Sequence, residues 1–247
     1  MSKVLVIGEN CIDVFVYGYS ERESPEGDAP VFIPQKEIYG DGMAYNSANN
    51  LSSQEVNVDI ISHNEEITKR RYVDLNTNKL FLRVDEGDKV SRYNVEDLPD
   101  NISEYDAILI SDYNKGFLTE EDIQHISQKN DLVIVDTKKK LGEWAKNITF
   151  IKLNRREYKN NLQSILYHEW LKDKLIITLD KDGVIHKEVR YPAETDNVVD
   201  ICGAGDTFIA SFTKKYIETK DVSESIVFAN KAAGKVIQQR GVTVYTE

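Results

Sequence analysis

Cysteine is almost missing from this chain: Cys11 and Cys202 are the two in 247 residues, too few for a disulfide framework and not spaced as metal ligands. A chain kept reduced in the cytoplasm is the expectation. Long apolar runs are missing as well. After Met1-Ser2-Lys3 the run Val4-Leu5-Val6-Ile7 is too short for a secretory signal or a membrane span, so no membrane role is expected. Positive charge is in deficit, with 31 Lys and Arg against 42 Asp and Glu and a net charge of -11. That balance argues against nucleic acid as a partner, because a phosphate backbone is met by a basic face. Any phosphate bound here needs a local cluster of cations. The 4 histidines, His63, His125, His168 and His186, lack metal-ligand pairing and read as packing or surface groups. Trp144 and Trp170 read as core or groove anchors. No Gly-x-x-x-x-Gly-Lys-Ser/Thr segment occurs, which removes P-loop chemistry.

What is present is an ordinary globular composition, 40% hydrophobic and 30% charged, at a length suited to a single domain over residues 1–247. Lys3–Ile7 has the unbroken aliphatic character of a strand buried on both faces, and such runs return at 58–61, 107–110, 132–135, 149–153 and 175–179. Helical patterns lie between most of them, at 43–53, 119–128, 141–146 and 161–171. The alternation predicts an α/β fold with a mostly parallel sheet covered by helices. Two stretches break it: 14–39 and 70–85 read as strand pairs, the second turning at Asn76-Thr77-Asn78-Lys79. These predict a small antiparallel β flap, and an exposed flap face invites a second copy, so a homodimer through the flap is expected. Helices over 206–218 and 222–239 and a last strand over 242–245 complete the reading.

The segment Val198-Val199-Asp200-Ile201-Cys202-Gly203-Ala204-Gly205-Asp206-Thr207 carries the clearest chemistry. Small residues at 203–205 let a ligand approach the backbone, and the amides opening the next helix point outward at the positive end of its dipole, so an anion belongs there. Asp206 sits where a carboxylate can accept a hydroxyl proton beside that anion. A simple helix cap reads equally well from the residue types. Asn154 and Glu157, after the strand ending at Leu153, read alone as a helix cap and a solvated face.

Together these segments resemble the ribokinase-like, or PfkB, carbohydrate kinases. Gly203-Ala204-Gly205-Asp206-Thr207 is similar to that family's C-terminal signature, and Asn154-Arg155-Arg156-Glu157 to its Asn-x-x-Glu element. Gly8-Glu9-Asn10-Cys11-Ile12-Asp13 and Gly42-Met43-Ala44-Tyr45-Asn46 resemble its sugar-binding strand end and first helix start. The resemblance implies a three-layer ribokinase-like fold, Asp206 as catalytic base, and Gly203, Ala204 and Gly205 as an anion hole. It implies Asp13, Gly42 and Asn46 on the sugar, and ATP beside Lys138, Asn154, Glu157, Thr178, Gly183, Asp200 and Asn230. Mg²⁺ would be organised through water by Asn154 and Glu157.

Further segments resemble the heptose 7-phosphate kinase branch. They are Ser24-Pro25-Glu26 with Ala29-Pro30-Val31, Thr68-Lys69-Arg70-Arg71, Leu82-Arg83-Val84-Asp85, Ser111-Asp112-Tyr113-Asn114-Lys115-Gly116 and Val135-Asp136-Thr137-Lys138. By that resemblance Lys69, Arg71, Arg83, Asp112 and Lys115 bind the acceptor. Clustered cations of this kind suit a sugar phosphate, although each taken singly reads as a surface charge. The resemblance covers nearly the whole chain with departures: His63–Ile67 replaces a helix and strand after Ser62, Met43 stands for a second glycine, and Cys202 for a threonine. A kinase for another sugar or nucleoside, and a sugar- or nucleotide-binding protein without turnover, remain the alternative readings.

Overall fold

The computed structural model describes residues 1–194 and 197–246. Strand β1 (Lys3–Gly8) leads into a long hairpin, β2 (Asn10–Glu23) and β3 (Pro30–Met43), which returns through helix α1 (Ala44–Ser52) to β4 (Asn57–Ile61). A second hairpin, β5 (Thr68–Asp74) and β6 (Leu80–Glu86), precedes β7 (Ala107–Asp112), α2 (Glu120–Ser127), β8 (Val133–Thr137) and β9 (Phe150–Asn154). Short helices α3 (Arg155–Asn160) and α4 (Leu162–Tyr167), strands β10 (Leu175–Thr178), β11 (Val184–His186) and β12 (Val189–Tyr191), and helices α5 (Ala204–Thr219) and α6 (Val222–Val236) follow.

The main sheet has 8 strands in the order β12-β11-β10-β9-β8-β7-β1-β4. Its pairs from β4 to β10 are parallel, and β11 and β12 add an antiparallel end. Successive side chains alternate between two cores. Val4, Val6, Leu109 and Ile134 meet Leu51 of α1, Phe208 and Phe212 of α5 and Ile226 of α6. Leu5, Ile7, Ile108, Ile110 and Val135 meet Ile123 and Ile126 of α2, Trp144 and Ile165. Helices cover both faces, as a parallel sheet requires, and each buried aliphatic contributes roughly 1.5–3 kcal/mol. Trp144 is thus a core anchor, and the three-layer α/β reading is borne out. Among the described residues no helix is long and apolar enough to cross a membrane.

The flap is a second sheet of 4 strands, ordered β3-β2-β5-β6. Each hairpin is antiparallel, but the seam joining them, β2 to β5, is parallel, a detail that the reading of an antiparallel flap lacked. Other expectations are corrected. Residues 242–245 form no strand: the Tyr245 amide donates to Asn50 Oδ1 at 3.0 Å and its carbonyl accepts from Ser53 Oγ at 2.7 Å, so side chains around α1 satisfy this backbone. The helix expected over 141–146 is a single 3-10 turn, Glu143–Ala145. The one expected over 161–171 breaks at His168, which leaves helical geometry with φ -110° and ψ 80°. The hairpin β11–β12, with 3 residues per strand, is too short for periodicity to reveal.

Candidate active site

The C-terminal ends of β8 and β9 and the N-terminal end of α5 face one another, the usual place for a ligand in an open α/β sheet. The turn into α5 is shaped from behind. Asp200 Oδ1 accepts the Cys202 amide at 3.0 Å and Oδ2 accepts the Gly241 amide at 3.1 Å. Gly203 then caps the helix with φ 78°, a left-handed conformation, and a Cβ on it would lie 2.7 Å from Asn46 Nδ2. A Cβ on Gly205 would lie 3.0 Å from Lys152 Nζ. These small residues let two side chains close on the first turn, whose leading amides have no partner within the helix.

Asp206 is only 5% exposed. Asn46 Nδ2, from α1, donates to its Oδ2 at 3.0 Å, and the Tyr113 hydroxyl donates to its Oδ1 at 2.8 Å. Burial raises the Asp206 pKa to about 6; the charge of Asp136 adds to this, while Asn46, Tyr113 and Lys152 oppose it. A carboxylate titrating near neutrality suits a general base better than a helix cap does. The remaining charges are tightly held. Lys152 Nζ donates to Asp136 Oδ2 at 2.8 Å, both groups being buried on the α5 side of the sheet. Burial opposes ionisation of Asp136, yet the Lys152 and Lys138 charges hold its pKa below the usual carboxylate value. Lys138 pairs with Glu157 and lies 3.9 Å from Asp136.

Two cavities meet at Asp206. The smaller, about 360 Å³, is lined by Asp13, Met43, Lys69, Arg71 and Arg83 of the flap and by Lys115 of the loop after β7. The larger, about 1010 Å³, is lined by Asn154, Thr178, Gly183 and Asn230, with Val198, Ile201, Phe208 and Ile237 as apolar wall. Arg83, Tyr113, Lys138, Cys202, Gly203 and Asp206 border both.

Most of the expected site residues converge here, with different partners from those a free clamp would have. Arg71 pairs with Asp13 at 2.5 Å, Arg83 forks onto Asp85 with two 2.6 Å bonds, and Lys115 pairs with Asp88. Lys69 lies 4.8 Å above the Tyr113 ring. Gly42 packs against Asp13, where a Cβ would meet Oδ2 at 2.2 Å. Asp112 is not brought in: its carboxylate is buried, accepting from Thr137 and, at 2.7 Å, from Lys139, and it shares a sheet face with Ile108 and Ile110, away from α5. Asp200 shapes the turn and does not line the larger cavity. Glu157 forms a reciprocal cap with Asn154, accepting its backbone amide at 2.7 Å, and meets the cavity through Lys138.

Sequence reasoning passed over Lys152, Asp136, Tyr113 and Glu9. Lys152 had a signal, a lone charge inside the buried run Phe150–Leu153. Glu9 had one too, a carboxylate directly after a buried strand that is itself 1% exposed.

Residues 38–247 match the model of the pfkB family carbohydrate kinases. The chain belongs to this family. As a pfkB-family carbohydrate kinase it is a phosphotransferase with an alcohol group as acceptor. Similar proteins include the bifunctional protein HldE of Nitratiruptor sp., 30% identical over 99% of this chain and 63% of that protein. The protein of the same name from Helicobacter pylori strain J99 is 31% identical over 98% of this chain and 64% of that protein. The pfkB-family chain thus spans less than two thirds of these curated relatives. Phosphofructokinase-2 of Escherichia coli superposes with TM-score 0.75 at 13% identity, covering 100% of this chain and 96% of that one. The Arabidopsis thaliana ribokinase complexed with ribose and ATP superposes with TM-score 0.71 at 14% identity, covering 98% and 95%. These likenesses show the ribokinase-like fold.

Proposed function

We propose that this kinase transfers the γ-phosphate of ATP to a hydroxyl of a sugar phosphate, with heptose 7-phosphate as the acceptor and the anomeric hydroxyl as nucleophile, giving the 1,7-bisphosphate. The observation that carries it is the buried Asp206 carboxylate at the junction of a small cation-lined cavity and a larger one with an apolar wall. The small cavity suits a compact anionic acceptor, and the larger suits a nucleotide. Lys69, Arg83 and Lys115 supply positive charge on the acceptor side, while Arg71 holds Asp13 in place to accept sugar hydroxyl protons. Asp206 takes the proton of the attacking hydroxyl, and the α5 amides with Lys152 and Lys138 face the charge on the moving phosphoryl group. The oxygen–phosphorus bond to the acceptor forms as the bond to ADP breaks, and the proton rests on Asp206 Oδ1 or Oδ2.

The residues fit a hydrated Mg²⁺ accompanying the phosphates. Asn154 and Glu157 are committed to each other and to Lys138, whereas Asp136 Oδ1 is buried without a hydrogen-bond partner among the described residues. No group of three or more acidic, histidine or cysteine side chains among those residues makes a metal cage. Such a donor set meets an ion through its waters, and the ion when bound neutralises phosphate charge. The unpaired thiols of Cys11 and Cys202 support a reducing cytoplasm, and the exposed Ile33, Tyr39, Leu80 and Leu82 of the flap support a homodimer.

The test is ADP release from Mg-ATP with heptose 7-phosphate against a panel of hexoses, pentoses and nucleosides. Turnover on heptose 7-phosphate that Asp206→Asn lowers about a hundred- to ten-thousandfold is the expected result. Turnover on other acceptors alone would discard the heptose reading, and nucleotide binding with no turnover would leave a binding protein.

A further inference from the structure

Tyr113 is a tyrosine with several partners at once. It lies in the loop after β7, borders both cavities, and its hydroxyl donates to Asp206 Oδ1 at 2.8 Å. Its ring carries two ammonium groups, Lys69 Nζ at 4.8 Å and Lys138 Nζ at 4.9 Å from the centroid. The first lines the acceptor cavity and the second borders both. The loop is itself pinned. The buried Glu9 carboxylate accepts the Tyr113 amide at 2.7 Å on one oxygen, and on the other the Lys115 amide at 2.9 Å and the Phe117 amide at 3.3 Å. A carboxylate accepting three backbone amides is a rigid anchor, and it fixes where the Tyr113 side chain begins.

We infer that Tyr113 is a positioning residue for phosphoryl transfer: its hydroxyl aims and keeps ionised the Asp206 carboxylate, while its ring seats Lys69 and Lys138 on either side of the junction. The inference rests on Asp206 being the base. With Asn46 on one oxygen and Tyr113 on the other, the carboxylate plane is fixed, and each oxygen keeps a lone pair for an incoming hydroxyl proton. Burial, followed by the Asp206 charge, pushes the Tyr113 hydroxyl well above its ordinary pKa, so it stays a donor. The other groups acting on Asp206 are Asp136 of β8 and Lys152 of β9, together with Lys138 after β8 and Cys11 of β2. Tyr113→Phe alters none of them.

The experiment compares wild type, Tyr113→Phe and Tyr113→Leu with Asp206→Asn as reference, by ¹³C NMR titration of the Asp206 carboxyl and by the pH dependence of kcat and KM. Loss of a donor to a charged group moves the Asp206 midpoint up by about one pH unit in Tyr113→Phe. The acid limb of kcat moves with it, leaving the variant about fivefold slower near pH 6, about tenfold slower below pH 5 and within about twofold above pH 8. Because Phe keeps the ring, KM for both substrates stays near wild type, whereas Tyr113→Leu, which removes it, raises both. An unmoved Asp206 midpoint in Tyr113→Phe overturns the role of the hydroxyl, and unchanged KM values in Tyr113→Leu overturn the role of the ring. If Tyr113→Phe does not fold, the Leu variant supplies the same titration. Wild-type turnover in Asp206→Asn would instead remove the base, and the NMR midpoints still report whether Tyr113 governs this carboxyl.

Discussion

Asp206 shows how a site residue works against the stability of its own fold. Its folded pKa of about 6 lies above the ordinary 3.8, so between those values the folded protein binds the proton more tightly than the unfolded chain. The contribution to stability is therefore full below about pH 4 and is lost as pH rises through 6, leaving a buried charge at neutrality. Asp206→Asn should melt at a higher temperature than wild type at pH 8, by up to about 3 kcal/mol of unfolding free energy, and lose that advantage at pH 4. Calorimetry at the two pH values checks it; an advantage independent of pH would mean that the carboxylate is not strained. Activity should follow the opposite direction and fall below about pH 6 as the base takes up its proton. Met43 is a second costly residue. It holds φ 58° at the end of β3, where the resemblance leads one to expect glycine, and such a backbone costs on the order of 1–3 kcal/mol. Its side chain lines the acceptor cavity, so the cost is borne where specificity is set.

The elements around Asp206 are sensitive at their ends. Helix α5 starts correctly only if Gly203 adopts its left-handed turn and leaves room for Asn46. Gly203→Ala places a methyl group against that amide and displaces a donor from Asp206, so kcat should fall while urea unfolding changes by about 1–2 kcal/mol. Strands β8 and β9 end in a buried ion pair, Asp136 with Lys152. Lys152→Met leaves Asp136 with Lys138 alone, at 3.9 Å, and should cost on the order of 3 kcal/mol in urea unfolding. Adding Asp136→Asn should recover much of that loss. A double variant as unstable as the sum of the single ones would show that the pair is not coupled.

For the molecule as a whole the open face of the flap is the least settled surface. Leu80 and Leu82 of the edge strand β6 are 49% and 55% exposed, and Tyr39 on β3 is 62% exposed. Apolar side chains on an unpaired edge favour pairing with another chain. Sedimentation should find a dimer of the wild type and a monomer of Leu82→Asp, whereas a monomeric wild type at micromolar concentration would sink the flap dimer. The segment His63–Ile67, where the resemblance places a shortening, lies beside the acceptor cavity: Ile67 packs with Cys11 and Met43 against Tyr113. The segment follows β4, the edge strand of the main sheet, and His63 closes it by accepting the Asn10 amide at 3.1 Å.

Local composition was enough for the layered α/β fold, because each central strand is an aliphatic run buried on both faces and shows in any short window. It was enough also for the turn at Gly203–Asp206, since small residues followed by an acid at a helix start have a meaning independent of the rest of the chain. What lay beyond it were contacts between distant segments. Tyr113 and Asn46 reach Asp206 across 93 and 160 residues, and nothing in the Tyr113 loop names its partner. Asp112 failed as an acceptor ligand for the same reason that Asp136 was overlooked: side chains alternate across a strand. Which parity faces α5 is set by the packing of helices on the sheet, and that packing turns Asp112 toward Lys139 and Asp136 toward Lys152.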